Sequence, residues 1–308
     1  MEFGPHLMLA SLEGAVISAI LVLTAMGLSI VFGVMRVVNV AHGEFFMLGA
    51  VFAWAVTTSL GGHPAWAFVA AILVVPVLVG CIAAGVDRLV LKRVDYDVDR
   101  TIVATIGVLY IIQQSTLMIY GPEARPVVPP FNTRLALPWF EFGETGFQLI
   151  WPWGLSITTY KLFVICAAAF VLVALWLLLT RTKIGLIMRA TQQDSDTAQA
   201  FGVPVGKVYS WVFGLGAALA ALGAVLVVPI QQAHYLMGGD PLLLAFIVVI
   251  IGGLGSLPGT VVAALLIGMS DGIISVFFSP TLAKIIATLL VAMVLVFRPQ
   301  GLLGRAPA

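Results

Sequence analysis

The stretch MRVVNVAHGEFFMLGAVFAWAV, Met35 to Val56, places Arg36, Asn39, His42 and Glu44 between two runs that are otherwise apolar. Its surroundings make those polar groups costly. Hydrophobic residues are 61% of the 308, charged residues 9%, and the mean hydropathy is +1.12. A soluble domain carries roughly 45 to 50% apolar and about 25% charged residues, so the composition is that of a polytopic membrane protein. A bilayer core about 30 Å thick takes about 20 apolar residues of helix per crossing. Spanning segments must be helices or closed barrels, because backbone groups find no partner in lipid. Long apolar runs without alternation exclude the barrel and leave an all-α fold.

Runs poor in charge fall at 14–35, 45–60, 66–86, 101–120, 162–179, 208–230, 241–257, 258–278 and 281–297. These give eight or nine crossings in one transmembrane domain, 1–308, with broken or re-entrant segments. The number turns on IIGGLGSLPGT (Ile250 to Thr260), which interrupts the penultimate pair. Lys and Arg concentrate in short cytoplasmic loops. Segment 87–100 carries Arg88, Lys92, Arg93 and Arg100, and 181–207 carries Arg181, Lys183, Arg189 and Lys207, so both are expected inside. Alternation then puts the N-terminus, the 61–65 turn and the loop 121–160 outside. Arg298 and Arg305 ask for an interior C-terminus, which favours nine crossings.

A net charge of +1 argues against a nucleic-acid partner. Cys81 and Cys166 sit in apolar runs and read as packed thiols. His6, His42, His63 and His234 are scattered, with no H-E-x-x-H, paired cysteine ligands or G-x-S-x-G elbow. The sequence therefore implies no catalytic residues, no metal and no cofactor. GGLGSLPG lacks the lysine of a Walker A loop, so any use of ATP belongs to a partner.

A glutamate at bilayer depth costs about 2.5 to 3.5 kcal/mol on insertion scales, and such groups face the protein interior or water. Two readings of 36–44 stand. It is a cytoplasmic turn with Glu44 complementing the dipole of the next helix, or Gly43 and Gly49 break the helix beside a transport pathway. Gly252, Gly253 and Gly255 divide likewise between close helix packing and a turn lining a cavity. In 181–207, Ile184, Ile187, Met188 and Thr191 share a helical face, with a stop signal at Gly202 and Pro204. Such a helix lies in the headgroup layer or docks in a partner's groove. Asp271 and Lys284, flanking FFSPT, are expected to pair. Gln113 and Gln114 suit interhelical hydrogen bonds, and Trp151, Trp153 and Tyr160 suit the membrane interface.

Four motifs carry a resemblance. GLSIVFGVMRVVNVAHGEFFMLGA (Gly27 to Ala50), GGLGSLPGT (Gly252 to Thr260) and FRPQGLLG (Phe297 to Gly304) are similar to the LivH-type permease subunit of branched-chain amino acid ABC importers. Asp196-Thr197-Ala198, with Gly202 four residues on, resembles the acid-Ala-Ala-x-x-x-Gly loop by which ABC permeases sit in an ATPase cleft. Asp and Thr197 depart from its usual Glu and Ala.

The resemblance implies a non-catalytic importer subunit in the bacterial inner membrane, with a second related permease, two ATP-binding subunits and a periplasmic substrate-binding protein as partners. It implies ATPase coupling through Asp194, Asp196, Thr197, Ala198, Phe201 and Gly202. It further implies a translocation pathway near Asn39, His42, Gly43, Glu44, Gly252, Gly253 and Gly255. The alternative is an ion-coupled secondary transporter, which needs acids at the midplane; Asp271 is the one weak candidate.

Overall fold

A computed structural model describes residues 3–61, 64–136, 139–143, 146–150, 156–298 and 300–304. The first five helices are α1 (Phe3–Met35), α2 (His42–Ser59), α3 (Pro64–Leu89), α4 (Val98–Tyr120) and α5 (Thr159–Arg181). Two short helices follow, α6 (Lys183–Gln193) and α7 (Ser195–Ala200). Then come α8 (Val205–Val227), α9 (Gly239–Gly252), α10 (Leu257–Phe277) and α11 (Pro280–Phe297). Among the described residues, six helices (α1, α3, α4, α5, α8 and α10) are long and apolar enough to cross a membrane, and α9 and α11 are shorter apolar helices.

Each apolar run became a helix, and polar side chains cap the starts of α4, α10 and α11. The Asp97 side chain accepts from the Arg100 amide at 3.0 Å to open α4, and Ser256 and Ser279 do the same for α10 and α11, each with a proline in the first turn. The most apolar window of α8 is 78% buried and that of α1 72%, against 17% for α4 and 22% for α5, so α1 and α8 are central and α4 and α5 peripheral. Small residues allow the central approach: Ser18 meets Gly268 of α10, and Thr260 Oγ1 donates to Ser29 Oγ at 2.9 Å.

Several expectations are corrected. The loop 121–160 carries antiparallel pairs, β1 (Arg134–Ala136) with β4 (Ser156–Thr158) and β2 (Trp139–Gly143) with β3 (Gly146–Ile150). Tyr160 is 2% exposed, its hydroxyl donating to the Leu226 carbonyl at 2.7 Å, because a ring packed on Phe68 needs a partner for its polar tip. Cys81 and Cys166 are free and exposed, on the outward faces of α3 and α5. Ile184 is half-exposed; the buried face of α6 is Gly185, Met188 and Thr191. Lys284 makes its direct ion pair with Asp240 at 2.7 Å, since the fold brings the first turn of α9 beside α11, while Asp271 stays within electrostatic reach of the same lysine. Trp151, Trp153, His63 and Arg305 lie outside the described residues.

Candidate translocation site and coupling surface

The opening stretch keeps part of each reading: Glu44 does lie in the first turn of the next helix, and the chain is interrupted before Gly43, but α2 runs unbroken through Gly49, which packs against Ala221 of α8. After Met35, Arg36 takes φ +56°, a left-handed conformation uncommon outside glycine, and turns the chain back on itself. Val37, Asn39 and Ala41 are buried, and the Val40 amide donates to Thr105 Oγ1 of α4 at 3.2 Å. Asn39 Oδ1 accepts from the Ala41 amide at 3.0 Å and stiffens the last bend. His42 then opens α2 with its Nε2 2.9 Å from the Thr24 carbonyl; a carbonyl only accepts, so Nε2 carries the proton.

That bond fixes the depth. Thr24 stands eleven residues before the end of α1, about 16 Å at 1.5 Å per residue. Six residues, 36–41, span at most about 20 Å when extended, enough to climb back beside α1. So α2 begins well inside the bundle. Glu44, 3% exposed, lies in its first turn with Oε2 unpartnered, where the helix dipole favours an acid.

A second interrupted element arrives from the other end. After α8, residues 228–238 return toward the centre, tied where Arg125 and Ala233 exchange backbone hydrogen bonds of 2.7 and 2.9 Å. Arg125 also lies over the Trp54 ring, 5.1 Å from its centroid. Five residues beyond Ala233, Gly238 packs backbone to backbone against Gly43. Here α9 begins and runs away from α2, so the N-termini of two interrupted helices meet at one level inside the protein.

Gly252, Gly253 and Gly255 lie at the far end of α9. Gly253 and Gly255 have φ +100° and +77°, the conformation that ends α9 and starts the reversal into α10. The tail completes this turn: the Leu302 amide donates to the Ile251 carbonyl at 2.7 Å, the Leu303 amide to that of Gly252 at 3.2 Å, and Ser256 Oγ to the Leu303 carbonyl at 2.9 Å. The chain thus supplies partners for the carbonyls that a helix C-terminus leaves free. The GGLGSLPGT turn and tail residues 300–304 form one unit, packed through Gly255 against Gly33 of α1.

The α6–α7 elbow lies at the same end. Asp194 caps α7, accepting from the Asp196 and Thr197 amides at 3.0 Å each and from Thr197 Oγ1 at 2.6 Å. Those bonds, the Thr197 side chain first, hold its carboxyl below the usual range. A group with a depressed folded pKa stabilises above its unfolded pKa and loses that contribution as pH falls through the folded value. The cap is therefore complete at neutral pH and fails only in acid. Asp194→Ala is expected to speed hydrogen exchange at the Asp196 and Thr197 amides, with Asp194→Ser retaining protection; equal rates in wild type and alanine variant would refute the cap.

Ala198 is buried, anchoring α7, while Asp196, Thr197 and Gly202 are exposed and Phe201 is 86% exposed. A cavity of about 210 Å³, lined by Met35, Arg36, Thr191, Asp194, Asp196 and Tyr209, lies between the elbow and the reversal at Arg36. The candidate coupling residues thus adjoin the turn that leads to Asn39, His42, Gly43 and Glu44.

Three polar pairs went unseen in the sequence. Asp87 of α3, fully buried, accepts from Ser210 Oγ of α8 at 2.6 Å. Glu13 pairs with Lys161, and Asp240 with Lys284. Each joins residues at least 44 apart, so no local spacing announces it; the one available signal is a charge near an apolar run.

A polytopic helical bundle with two interrupted helices meeting at its centre and an exposed elbow at one end is the architecture of a membrane permease. Residues 11–297 match the family described as branched-chain amino acid transport system / permease component, and the chain belongs to that family. It is a permease subunit of an ABC importer. The high-affinity branched-chain amino acid transport system permease protein BraD of Pseudomonas aeruginosa is 26% identical, over 97% of this chain and 96% of that protein. The corresponding LivH of Escherichia coli is 25% identical over 95% and 94%. The probable branched-chain amino acid transport permease protein LivH of Methanocaldococcus jannaschii is 27% identical over 95% and 91%. No solved structure matches the chain.

Proposed function

We propose that this subunit moves branched-chain amino acids, or similar small amino-acid or amide solutes, into the cytoplasm across the bacterial inner membrane. A second related permease completes the pathway, two ATP-binding subunits drive it, and a periplasmic binding protein delivers the solute. The carrying observation is the junction at Gly43 and Gly238, joined through Arg36 to the exposed elbow at Asp194 to Gly202. Asn39, His42, Gly43 and Glu44, buried at that level, back the pathway wall and move with it, and Gly252, Gly253 and Gly255 form its inner hinge.

Motion at the elbow displaces the end of α1 and the Arg36 turn, and the half-helices shift as packed bodies so that the path opens to one side at a time. The basic loops 87–100 and 181–207 support a cytoplasmic elbow. The tail and the Gly253 turn share its end of the bundle, which supports a cytoplasmic C-terminus, with the N-terminus periplasmic. The partner ATPases grip Asp196, Thr197 and Phe201, with Asp194, Ala198 and Gly202 shaping the surface.

Reconstituted uptake of leucine-like solutes is expected to require both ATP-binding subunits, ATP and the binding protein. Uptake by the purified chain alone, driven by an ion gradient, would establish a secondary transporter instead.

A further inference from the structure

We propose that the face of α9 and α11 carrying Asp240 and Lys284 is turned toward the second permease subunit across a water-filled seam, and that this ion pair lines the solute's path. This rests on the two-permease reading above. Asp240 lies two residues beyond Gly238, whose backbone touches Gly43 at the level that His42 ties to the inside of α1. The pair is therefore near the depth of the junction. It is nonetheless open: the Asp240 side chain is 72% exposed and that of Lys284 48%.

Charges at membrane depth face protein or water, because lipid offers them no solvation. Lys284 directs its ammonium to Asp240 at 2.7 Å. Leu243 and Ile285 next to the pair, and Leu289 and Met293 further along α11, are exposed and apolar, which suits a subunit contact beside a wet groove. The outward face of α5, with Phe170, Val173 and Trp176, is apolar without a charge and suits lipid. Asp271 of α10, half-buried, also lies within electrostatic reach of Lys284, so Lys284 can turn to a solute carboxylate while the exposed Asp240 meets an ammonium, which makes the site complementary to a zwitterion. The face thus matches a partner of the same membrane-embedded kind and a solute with both charges.

The test uses the assembled importer in membrane vesicles, in a background with Cys81 and Cys166 changed to alanine. Asp240→Cys is expected to react with a water-soluble methanethiosulfonate at least about tenfold faster than Trp176→Cys, because thiolate forms only where water reaches. A photo-crosslinker on Leu289→Cys, which leaves the ion pair intact, is expected to capture the second permease subunit. Equal, slow modification at both positions, or crosslinks from Leu289→Cys to lipid alone, would overturn the proposal. ATP-driven uptake in the same vesicles separates the two claims: uptake with an unreactive Asp240→Cys removes this inference alone, whereas ATP-independent uptake removes the importer reading.

Discussion

Gly43→Ala is expected to reduce uptake by at least about tenfold, the kinetic equivalent of about 1.4 kcal/mol, with protein still inserted in the membrane. The reason is steric. A Cβ on Gly43 would lie 2.8 Å from Cβ of Leu242 and 3.0 Å from the carbonyl carbon of Gly238, with the carbonyl oxygen closer still. The obstacle is mainly backbone, so no rotamer change relieves it, and overpacking of this kind costs about 1 to 3 kcal/mol. The cheapest relief is to part the two helix starts, which moves the element proposed to form the path. Gly107→Ala in α4 is the control, since its added methyl meets no atom within 4 Å. Uptake per inserted subunit, measured in proteoliposomes, decides the matter; wild-type uptake by Gly43→Ala would show that the junction lies away from the path.

The second large effect is expected at Phe201. An aromatic side chain 86% exposed at the tip of a short helix contributes little to the subunit's own core. It is well placed to fill a partner's pocket, and such anchors are worth about 2 kcal/mol or more, roughly thirtyfold in affinity. Phe201→Asp is expected to lose co-purification of the ATP-binding subunits and ATP-driven uptake while leaving the permease's thermal unfolding unchanged. Phe201→Leu, which keeps apolar bulk, is expected to retain part of both. Undiminished co-purification by the aspartate variant would mean that the ATPases grip another surface.

Much of this was legible because the bilayer is a strict solvent. Apolar runs must become helices in lipid, and the runs ending near Met35, Tyr120, Phe277 and Phe297 did so within a few residues. The motifs around His42, Gly252 and Phe297 pointed to the family that residues 11–297 match.

The pairings were not legible. FFSPT suggested Asp271 as the partner of Lys284; Asp271 is near enough to feel its charge, yet Asp240, 44 residues upstream, makes the direct contact. Tyr160 read as an interface aromatic and proved to be buried, because only its packing on Phe68 and its bond to Leu226 reveal which way it turns.

The sequence by itself determined the solvent, the helical class, most helix positions and the family, since each follows from residue chemistry over a local window. Only the tertiary structure decided where α2 and α9 begin in depth. Those levels are fixed by His42 reaching back to Thr24 and by Gly43 meeting Gly238 across 195 positions of chain, with Arg36 and the extended residues after it free to adopt whatever path such contacts impose.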